Sequence, residues 1–200
     1  MRKFLPWIVV GGLLLIAVIW FVNIKNGAVR ANQDVNKEWG NVETSYQRRN
    51  DLIGNLVETV KGAADFEKST LEAVTSARAS ASQVKIDPTN ITPEQLAQFN
   101  KAQSGVSSTL SRLLVTVENY PNLKANENFM KLQDELASTE NQILTARTRF
   151  NEAVQTYNNF ILVFPNSMFL GNYKEKPYFD AVAGAEKPVD VKFNFSNDKK

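Results

Sequence analysis

The side chains available for chemistry in this sequence are hydroxyls, amides, carboxylates, amines and guanidinium groups, because its 200 residues include no histidine and no cysteine. This excludes imidazole general bases, thiol nucleophiles, disulfides, and zinc or haem sites built on those ligands. A catalytic site would need a serine–lysine pair, two carboxylates or a carboxylate-bound metal ion. Neither GxxxxGK[ST] nor GxGxxG occurs, so the common phosphate-binding loops are also excluded.

The carboxylates are poorly spaced for such a site. Asp134 and Glu135 are adjacent, so on a helix they point to different faces and belong to the solvated surface. Glu118 and Glu140 can approach each other only in a helix register other than the one favoured below. Dinuclear sites in helical bundles use Glu-x-x-His pairs, which this chain cannot supply. We predict no catalytic, cofactor-binding or metal-binding residues and no enzyme activity, with a carboxylate–metal-dependent hydrolase as a minor alternative.

The basic residues do not form a nucleic-acid surface. The chain has 23 Lys and Arg against 21 Asp and Glu, a net charge of +2. Adjacent basic pairs occur at 2–3, 48–49 and 199–200, and no aromatic stacking platform accompanies them. We predict no nucleic-acid partner.

An apolar run near the N-terminus predicts the cellular location. Residues 4–22 contain no charge, and at about 1.5 Å per residue they match the roughly 30 Å hydrocarbon core of a bilayer. A cleaved signal peptide is the alternative, with cleavage at 29–31, but the run exceeds the usual signal core of about 7–15 residues. We predict an uncleaved transmembrane anchor over residues 1–23 that contacts membrane lipid through residues 4–22.

The charges on the two sides of this anchor are nearly balanced. Arg2 and Lys3 precede it, and Lys25, Arg30 and Lys37 follow it. Since a very short basic N-terminus usually stays in the cytoplasm, we predict that the N-terminus is inside and the rest of the chain outside.

Helical periodicity dominates the rest of the chain. Apolar residues recur at spacings of three and four in four stretches, near 24–62, 65–84, 93–120 and 126–164. Residues 92–95 (TPEQ) are typical of a capping box with proline at the first helical position, Pro121 is expected to end the third helix, and Asn126 can cap the fourth. Short connections make sequential helices antiparallel. We therefore predict an all-α fold in which the transmembrane helix continues into an elongated up-down-up-down four-helix bundle over residues 24–164.

The heptad-like seams of these helices predict the core. The first seam consists of Val35, Trp39, Val42, Tyr46, Arg49, Ile53, Leu56, Val60 and Ala63. The second is richer in small residues and consists of Phe66, Thr70, Ala73, Ala77, Ala81 and Val84. The third spans 96–120, and the fourth holds register over eleven positions within 129–164.

Arg49 is a charge within an apolar seam. Counting residues from the far end of the antiparallel bundle brings Arg78 and Glu140 to its level, with Ser107 or Ser108 nearby. We predict a structural polar layer in which Glu140 pairs with Arg49 or Arg78 and fixes the register more than it stabilises the fold. The alternatives are that Arg49 reaches water past its aliphatic stem, or that it belongs to a functional site.

Residues 165–200 are predicted to form an irregular, flexible C-terminal tail. Because the fourth helix ends near the anchor, Met168, Phe169 and Leu170 are candidate contacts with the membrane interface; packing against the end of the bundle is the alternative. Alternation of apolar and polar residues over 189–195 could also pair with the sheet edge of a partner.

Several segments resemble the LemA family of bacterial membrane proteins. The closest are 48–62 (RRNDLIGNLVETVKG) and 113–126 (LLVTVENYPNLKAN), and the similarity extends from the anchor to about residue 180. Gly54 stands where the family usually has proline, which predicts a less kinked but locally soft helix, and Phe150 replaces a usual tyrosine. The resemblance implies a single-pass protein of the bacterial inner membrane with an extended helical bundle and no established catalytic activity.

From these features we predict a non-enzymatic, membrane-anchored helical scaffold or adaptor of the bacterial cell envelope. The alternative is a regulatory partner of a membrane metalloprotease in envelope quality control, which is implied only by the genes that often neighbour the family. Protein partners are expected, and a homo-oligomer would cover the part of the long helices that the shorter ones leave exposed.

Overall fold

The protein is built from helices in the predicted order. The computed structural model describes residues 5–62 and 66–180. Within these residues it contains five α-helices: α1 (Leu5–Lys61), α2 (Lys68–Gln83), α3 (Pro93–Val117), α4 (Pro121–Lys124) and α5 (Glu127–Leu162). Short 3-10 turns occupy Pro88–Asn90 and Asn166–Met168, and no strand occurs in the described ranges. The predicted all-α fold, with a long apolar N-terminal helix leading into a bundle, is confirmed.

Helix α1 contains both the apolar run and the first helix of the bundle. It is unbroken over 57 residues, which at about 1.5 Å per residue is about 86 Å. Side chains 7–23 are exposed, and burial begins at Ile24. Of the described helices, α1 is the one long and apolar enough to cross a membrane. The bundle contacts of α1 thus begin just beyond the predicted anchor, residues 1–23, of which residues 1–4 lie outside the described part.

The bundle consists of two antiparallel helix pairs, in which α5 runs along α1 and α3 runs along α2. The predicted capping box opens α3, since Thr92 Oγ1 accepts a hydrogen bond from Gln95 N (3.2 Å) and Gln95 Oε1 accepts one from Thr92 N (3.1 Å). Asn126 caps α5 by accepting a hydrogen bond from Phe129 N at 3.1 Å. These caps satisfy backbone donors that a helix start otherwise leaves unpaired.

The link between α3 and α5 differs from the prediction. Helix α3 ends at Val117 instead of residue 120, and Pro121 opens the four-residue α4. Proline suits a first helical turn because it lacks the N–H that would have no partner there. Leu123 of α4 is buried, so this short helix closes the far end of the bundle.

The predicted seams are correct for most positions of α1, α3 and α5, whereas the α2 seam lies at the edge of the buried face. Of its six predicted members, Ala81 is buried, and Phe66, Ala77 and Val84 are partly buried against the two cores. Val35 to Val60 of the α1 seam are all buried, and Ala63 lies outside the described residues. The third seam is buried as far as Val117, and most of the α5 seam is buried as well. On α2 the buried residues are Leu71, Val74 and Ala81. Burial there follows the two largest aliphatic side chains, because a seam of alanines removes little apolar area from water.

Buried residues form two clusters along the rod, one on each side of Arg49. We call the cluster nearer the apolar part of α1 the anchor-side core, whose largest members are Trp39, Tyr46, Phe99, Phe150, Tyr157 and Phe179. We call the other the far-end core, whose largest members are Ile53, Leu56, Leu71, Leu113, Phe129 and Leu136. The same helices therefore carry two differently composed cores.

After α5 the chain turns back along the bundle as a segment of residues 170–180, which we call the strap. Leu170, Lys176 and Phe179 of the strap are buried. The Phe179 ring stacks 6.0 Å from the Trp39 ring. The strap is irregular, as predicted, and it packs against the bundle through these contacts. The rest of the predicted tail, residues 181–200, lies outside the described residues.

Candidate functional site

Arg49 lies at the boundary between the two cores, where α1 carries it into the interior of the bundle. Its side chain is 3% exposed. Tyr46 on one side belongs to the anchor-side core and Ile53 on the other to the far-end core. A guanidinium in such a place needs several acceptors, because an uncompensated buried charge costs several kcal/mol, roughly 3–5 when a partner is removed.

Three side chains from two other helices supply the acceptors. Arg49 Nη1 donates to Ser107 Oγ and to Glu140 Oε1, both at 3.2 Å, and Nη2 donates to Gln103 Oε1. The guanidinium also lies 4.9 Å from the centre of the Tyr46 ring. Glu140 sits at the rim with its side chain 48% exposed, whereas Gln103 is buried. The layer thus connects α1, α3 and α5 with one buried charge and one half-solvated countercharge.

The second predicted arginine does not join this layer. Arg78 lies against Gly54, where a Cβ would meet its Nη1 at 2.9 Å. Helix α2 contributes instead through Ser82, which accepts a hydrogen bond from Asn50 Nδ2 at 3.4 Å. Between the two predicted partners of Glu140, the structure brings Arg49 and not Arg78 to it. Gly54 leaves room for the Arg78 guanidinium, which occupies the surface of α1 one turn beyond the layer.

Two polar atoms of this layer have no hydrogen-bond partner among the described residues, Arg49 Nε and Asn50 Oδ1. Buried polar atoms of this kind are costly, by about 1–3 kcal/mol each. The layer is therefore incompletely satisfied, which is consistent with a role in fixing register more than in adding stability.

The layer opens into a cleft of about 680 Å³ between α1, α3 and α5. Its charged lining residues are Arg49, Lys101, Glu140, Arg147 and Asp180. Burial raises the pKa of the Tyr46 hydroxyl in this cleft, although the nearby arginines act to lower it. A tyrosine with a raised pKa stays neutral near pH 7, so it cannot serve there as a general base.

The strap supplies a further set of buried polar contacts that sequence reasoning missed. Asn158 Nδ2 donates to Lys176 O and Asn158 Oδ1 accepts from Lys176 N, both at 2.9 Å. Asn151 makes the same pair of bonds to the backbone of Phe179, at 3.1 and 2.8 Å. These asparagines lie seven residues apart on one face of α5, a spacing that is visible in the sequence but gives no indication of a backbone partner.

Lys176 connects the strap to the link between α2 and α3. Its Nζ donates to Pro88 O at 2.8 Å and to Thr89 O at 3.2 Å. Burial lowers the pKa of Lys176, while the charge of Asp87 acts in the opposite direction. The strap therefore joins both helix pairs at the anchor-side end of the bundle.

The three predicted membrane-interface residues have different environments. Leu170 is 2% exposed and belongs to the anchor-side core, so this side chain follows the alternative, packing against the end of the bundle, and not the membrane contact. Met168 is 69% exposed and Phe169 36% exposed. The Phe169 ring lies edge-on to the Trp20 ring at 5.4 Å, at the end of the apolar run of α1. Leu170 follows a 3-10 turn, which reverses the chain and directs it into the bundle.

No group of three or more Asp or Glu side chains that could hold a metal ion occurs within the described residues. The carboxylate of Glu140 is paired with Arg49 instead. What this site offers chemically is a buried hydrogen-bond network beneath a mixed-charge cleft, with no activated nucleophile among the groups described above.

Comparisons with known proteins support the resemblance noted from the sequence. The model of the LemA family matches residues 38–193. Magnetosome proteins MamQ 1 and MamQ 2 of Paramagnetospirillum magneticum are each 26% identical over 183 residues, which cover 82% of this chain and 67% of the relative. Protein LemA of Metamycoplasma hominis is 24% identical over 154 residues, which cover 76% of this chain and 67% of the relative. None of these names states a catalysed reaction.

Proposed function

The chain belongs to the LemA family, and from this premise we propose that it is a non-enzymatic, membrane-anchored scaffold of the bacterial cell envelope that presents its bundle to protein partners. Family membership makes it a membrane-associated helical protein. The scaffold role rests chiefly on α1, which carries the apolar run and half of the long helix pair without a break. A continuous helix holds the bundle at a defined position relative to the anchor.

The exposed surface of the bundle offers candidate contact points for such partners. Val115 on α3 and Leu144 on α5 are large apolar side chains that are mostly exposed, at 71% and 61%. Isolated exposed apolar residues are common, so these two positions serve here as probes and not as a defined interface.

Photo-crosslinking in native membranes tests the proposal. A photoreactive residue is placed at Val115 or at Leu144 in the full chain, with exposed Lys68 as the matched position on another helix. We expect discrete light-dependent protein adducts from at least one apolar position, identified by mass spectrometry. A membrane metalloprotease among them would favour the regulatory role, and adducts with a second copy would favour a homo-oligomer. If all three positions give only the background seen without light, the scaffold proposal fails.

The sidedness of the bundle is a separate part of the proposal. Because the chain has no native cysteine, a single Val115→Cys variant reports its own labelling without background. We propose that the N-terminus is cytoplasmic and the bundle lies outside the inner membrane, so a membrane-impermeant maleimide should label this variant in spheroplasts. Labelling only after lysis would reverse the orientation.

A further inference from the structure

The chain between α5 and the strap is exposed, apolar and uncharged. From residue 153 to residue 173 the sequence has no Asp, Glu, Lys or Arg. Within it the large apolar side chains that face solvent are Leu162, Val163, Phe164, Met168 and Phe169. We call residues 162–169 the apolar turn. A patch of this kind on a protein surface usually marks a partner or a membrane.

The apolar turn lies directly beside the end of the apolar run of α1. The Phe169 ring is 5.4 Å from the Trp20 ring and 5.8 Å from the Phe21 ring, in edge-on contacts. One turn further along α1, Lys25 Nζ lies 5.6 Å from the centre of the Tyr173 ring. The contacts thus change from aromatic and uncharged to cationic over one helical turn, as the boundary between lipid chains and headgroups would require.

The backbone of the apolar turn is suited to a medium of low polarity. Ser167 N donates to Val163 O at 3.1 Å, Met168 N to Pro165 O at 3.2 Å and Phe169 N to Asn166 O at 2.9 Å. The Asn166 side chain also donates to Phe160 O at 3.0 Å. Internally bonded amides of this kind enter the membrane interface at much lower cost than free ones.

We propose that the apolar turn inserts its Phe164, Met168 and Phe169 side chains into the interfacial region of the same bilayer that α1 crosses. The protein then contacts the membrane at two places, the apolar run and the apolar turn, and the bundle is fixed in tilt as well as in position. This inference rests on the proposed membrane anchorage. We commit to lipid as the partner of the apolar turn, because the turn lies directly beside the helix segment that could span the membrane.

Site-directed spin labelling of the full chain in nanodiscs tests this inference. Single-cysteine variants Phe164→Cys and Met168→Cys are labelled and their depth is read from accessibility to oxygen and to a water-soluble nickel complex. Leu14→Cys in the apolar run is the lipid reference. Leu144→Cys, an equally apolar and exposed position on the bundle, is the aqueous reference. One chain per nanodisc of phosphatidylethanolamine and phosphatidylglycerol excludes contact with a second copy.

We expect labels at 164 and 168 to favour oxygen over nickel, with readings between those of the two references. Readings equal to that at 144 overturn the inference while the anchorage stands. An aqueous reading at 14 overturns the anchorage, and the inference with it. A protected reading at 164 that appears only when several chains share a nanodisc assigns the turn to self-association and also overturns the inference.

The orientation of the bundle relative to the membrane provides a second test of the same proposal. Phe164→Ser/Met168→Ser should broaden the distribution of distances between a label at Val115 and the lipid surface, because one of two membrane contacts is lost. Leu144→Ser is the matched control and should leave the distribution unchanged. Equal distributions in both variants would contradict an orienting role for the turn.

Discussion

The anchor-side core and the far-end core lie on the same helices but are held together by different means. In the anchor-side core, the rings of Trp39, Phe99, Phe150 and Phe179 lie 5.3–6.5 Å from one another in all the pairs that make contact. The far-end core is mainly aliphatic, with Phe129 as its fully buried ring. The anchor-side core is additionally closed by the strap, whereas the far-end core is closed by α4.

This difference shows that one bundle can be packed in two ways, with aromatic rings and the strap at one end and with aliphatic side chains and α4 at the other. In the anchor-side core the strap adds the Phe179 ring, which packs against the rings of Trp39 and Phe150. Aliphatic seams suit helices in direct contact. Arg49 separates the two regions, so a shift in helix register would move a charge into one core or the other.

Of the substitutions that test the difference between the two cores, Trp39→Ala should lower the free energy of unfolding most. Trp39 is fully buried at the centre of the anchor-side core, and removing such a side chain typically costs about 3–5 kcal/mol. Denaturant unfolding in detergent measures the loss, and hydrogen exchange should show that the strap loosens more than α2 and α4, whose buried residues all belong to the far-end core. Leu113→Ala is the matched far-end variant and should show the reverse pattern. Equal loosening of both regions in both variants would mean that the two cores are one unit.

The next largest effect concerns the polar layer around Arg49, at the boundary between the two cores. Arg49→Met and Glu140→Gln, combined in a double-mutant cycle, should show a coupling free energy of about 0.5–3 kcal/mol. Arg49→Met alone removes the buried charge and its unsatisfied Nε together, but it also leaves the buried Gln103 Oε1 without its donor, so we expect a cost of about 1–3 kcal/mol. Urea unfolding of the four proteins gives the coupling. A value near zero would remove the polar layer as a specific interaction.

An effect of similar size tests the strap. Asn158→Ala removes both hydrogen bonds to the backbone of Lys176, and loss of buried bonds of this kind costs about 1–3 kcal/mol. Protection of the Lys176 amide in hydrogen exchange should fall. The control is Asn159→Ala at the exposed neighbouring position. A strap that stays equally protected in both variants would show that its aromatic contacts suffice.

The smallest effect is a pH dependence confined to the anchor-side core. Burial raises the pKa of Tyr46 above its usual value of 10.0. Above pH 10 the unfolded chain loses the phenolic proton of Tyr46 before the folded chain does. The contribution of Tyr46 to the free energy of unfolding is therefore fully present below pH 10 and falls as the pH rises above it, by at most about 1.4 kcal/mol per pH unit.

The Tyr46→Phe variant isolates this contribution. Burial lowers the pKa of Lys176, which has the opposite effect on stability, and this effect cancels when Tyr46→Phe is compared with the parent protein. The measurement is the free energy of unfolding from pH 9 upward, and the variant should show a shallower fall. Parallel curves would assign the alkaline loss to other groups.

The helices that the sequence predicted well are those whose faces differ strongly in polarity. The seams of α1, α3 and α5 alternate large apolar residues with charges and amides, and the antiparallel arrangement brought Arg49 and Glu140 to one level. Helix α2 (KSTLEAVTSARASASQ) consists mainly of alanine, serine and threonine, and its two largest aliphatic side chains, Leu71 and Val74, each lie one position after a member of the predicted seam, so the predicted seam lies at the edge of the buried face.

The strap could not be predicted because its contacts have no periodic signal. Asn151 and Asn158 bind backbone groups, and backbone groups are the same at every residue. The burial of Lys176 could not be predicted either, because a buried lysine is uncommon. Its amine is bonded to carbonyl oxygens of a turn that is distant in sequence. For Leu170 the sequence left membrane contact and packing against the bundle both open, because the fourth helix ends near the anchor, and the reversal of the chain after Met168 directs this side chain inward.

Because α1 is unbroken, it also fixes the rotational orientation of the polar cleft about the helix axis. An α-helix turns by about 100° per residue, and no bend or loop separates the apolar run from Arg49, which lines the cleft. Deleting one residue between the apolar run and Ile24 would therefore turn the cleft by about 100° around the helix axis relative to the side chains of the apolar run. In the intact chain the cleft thus faces one fixed direction relative to those side chains.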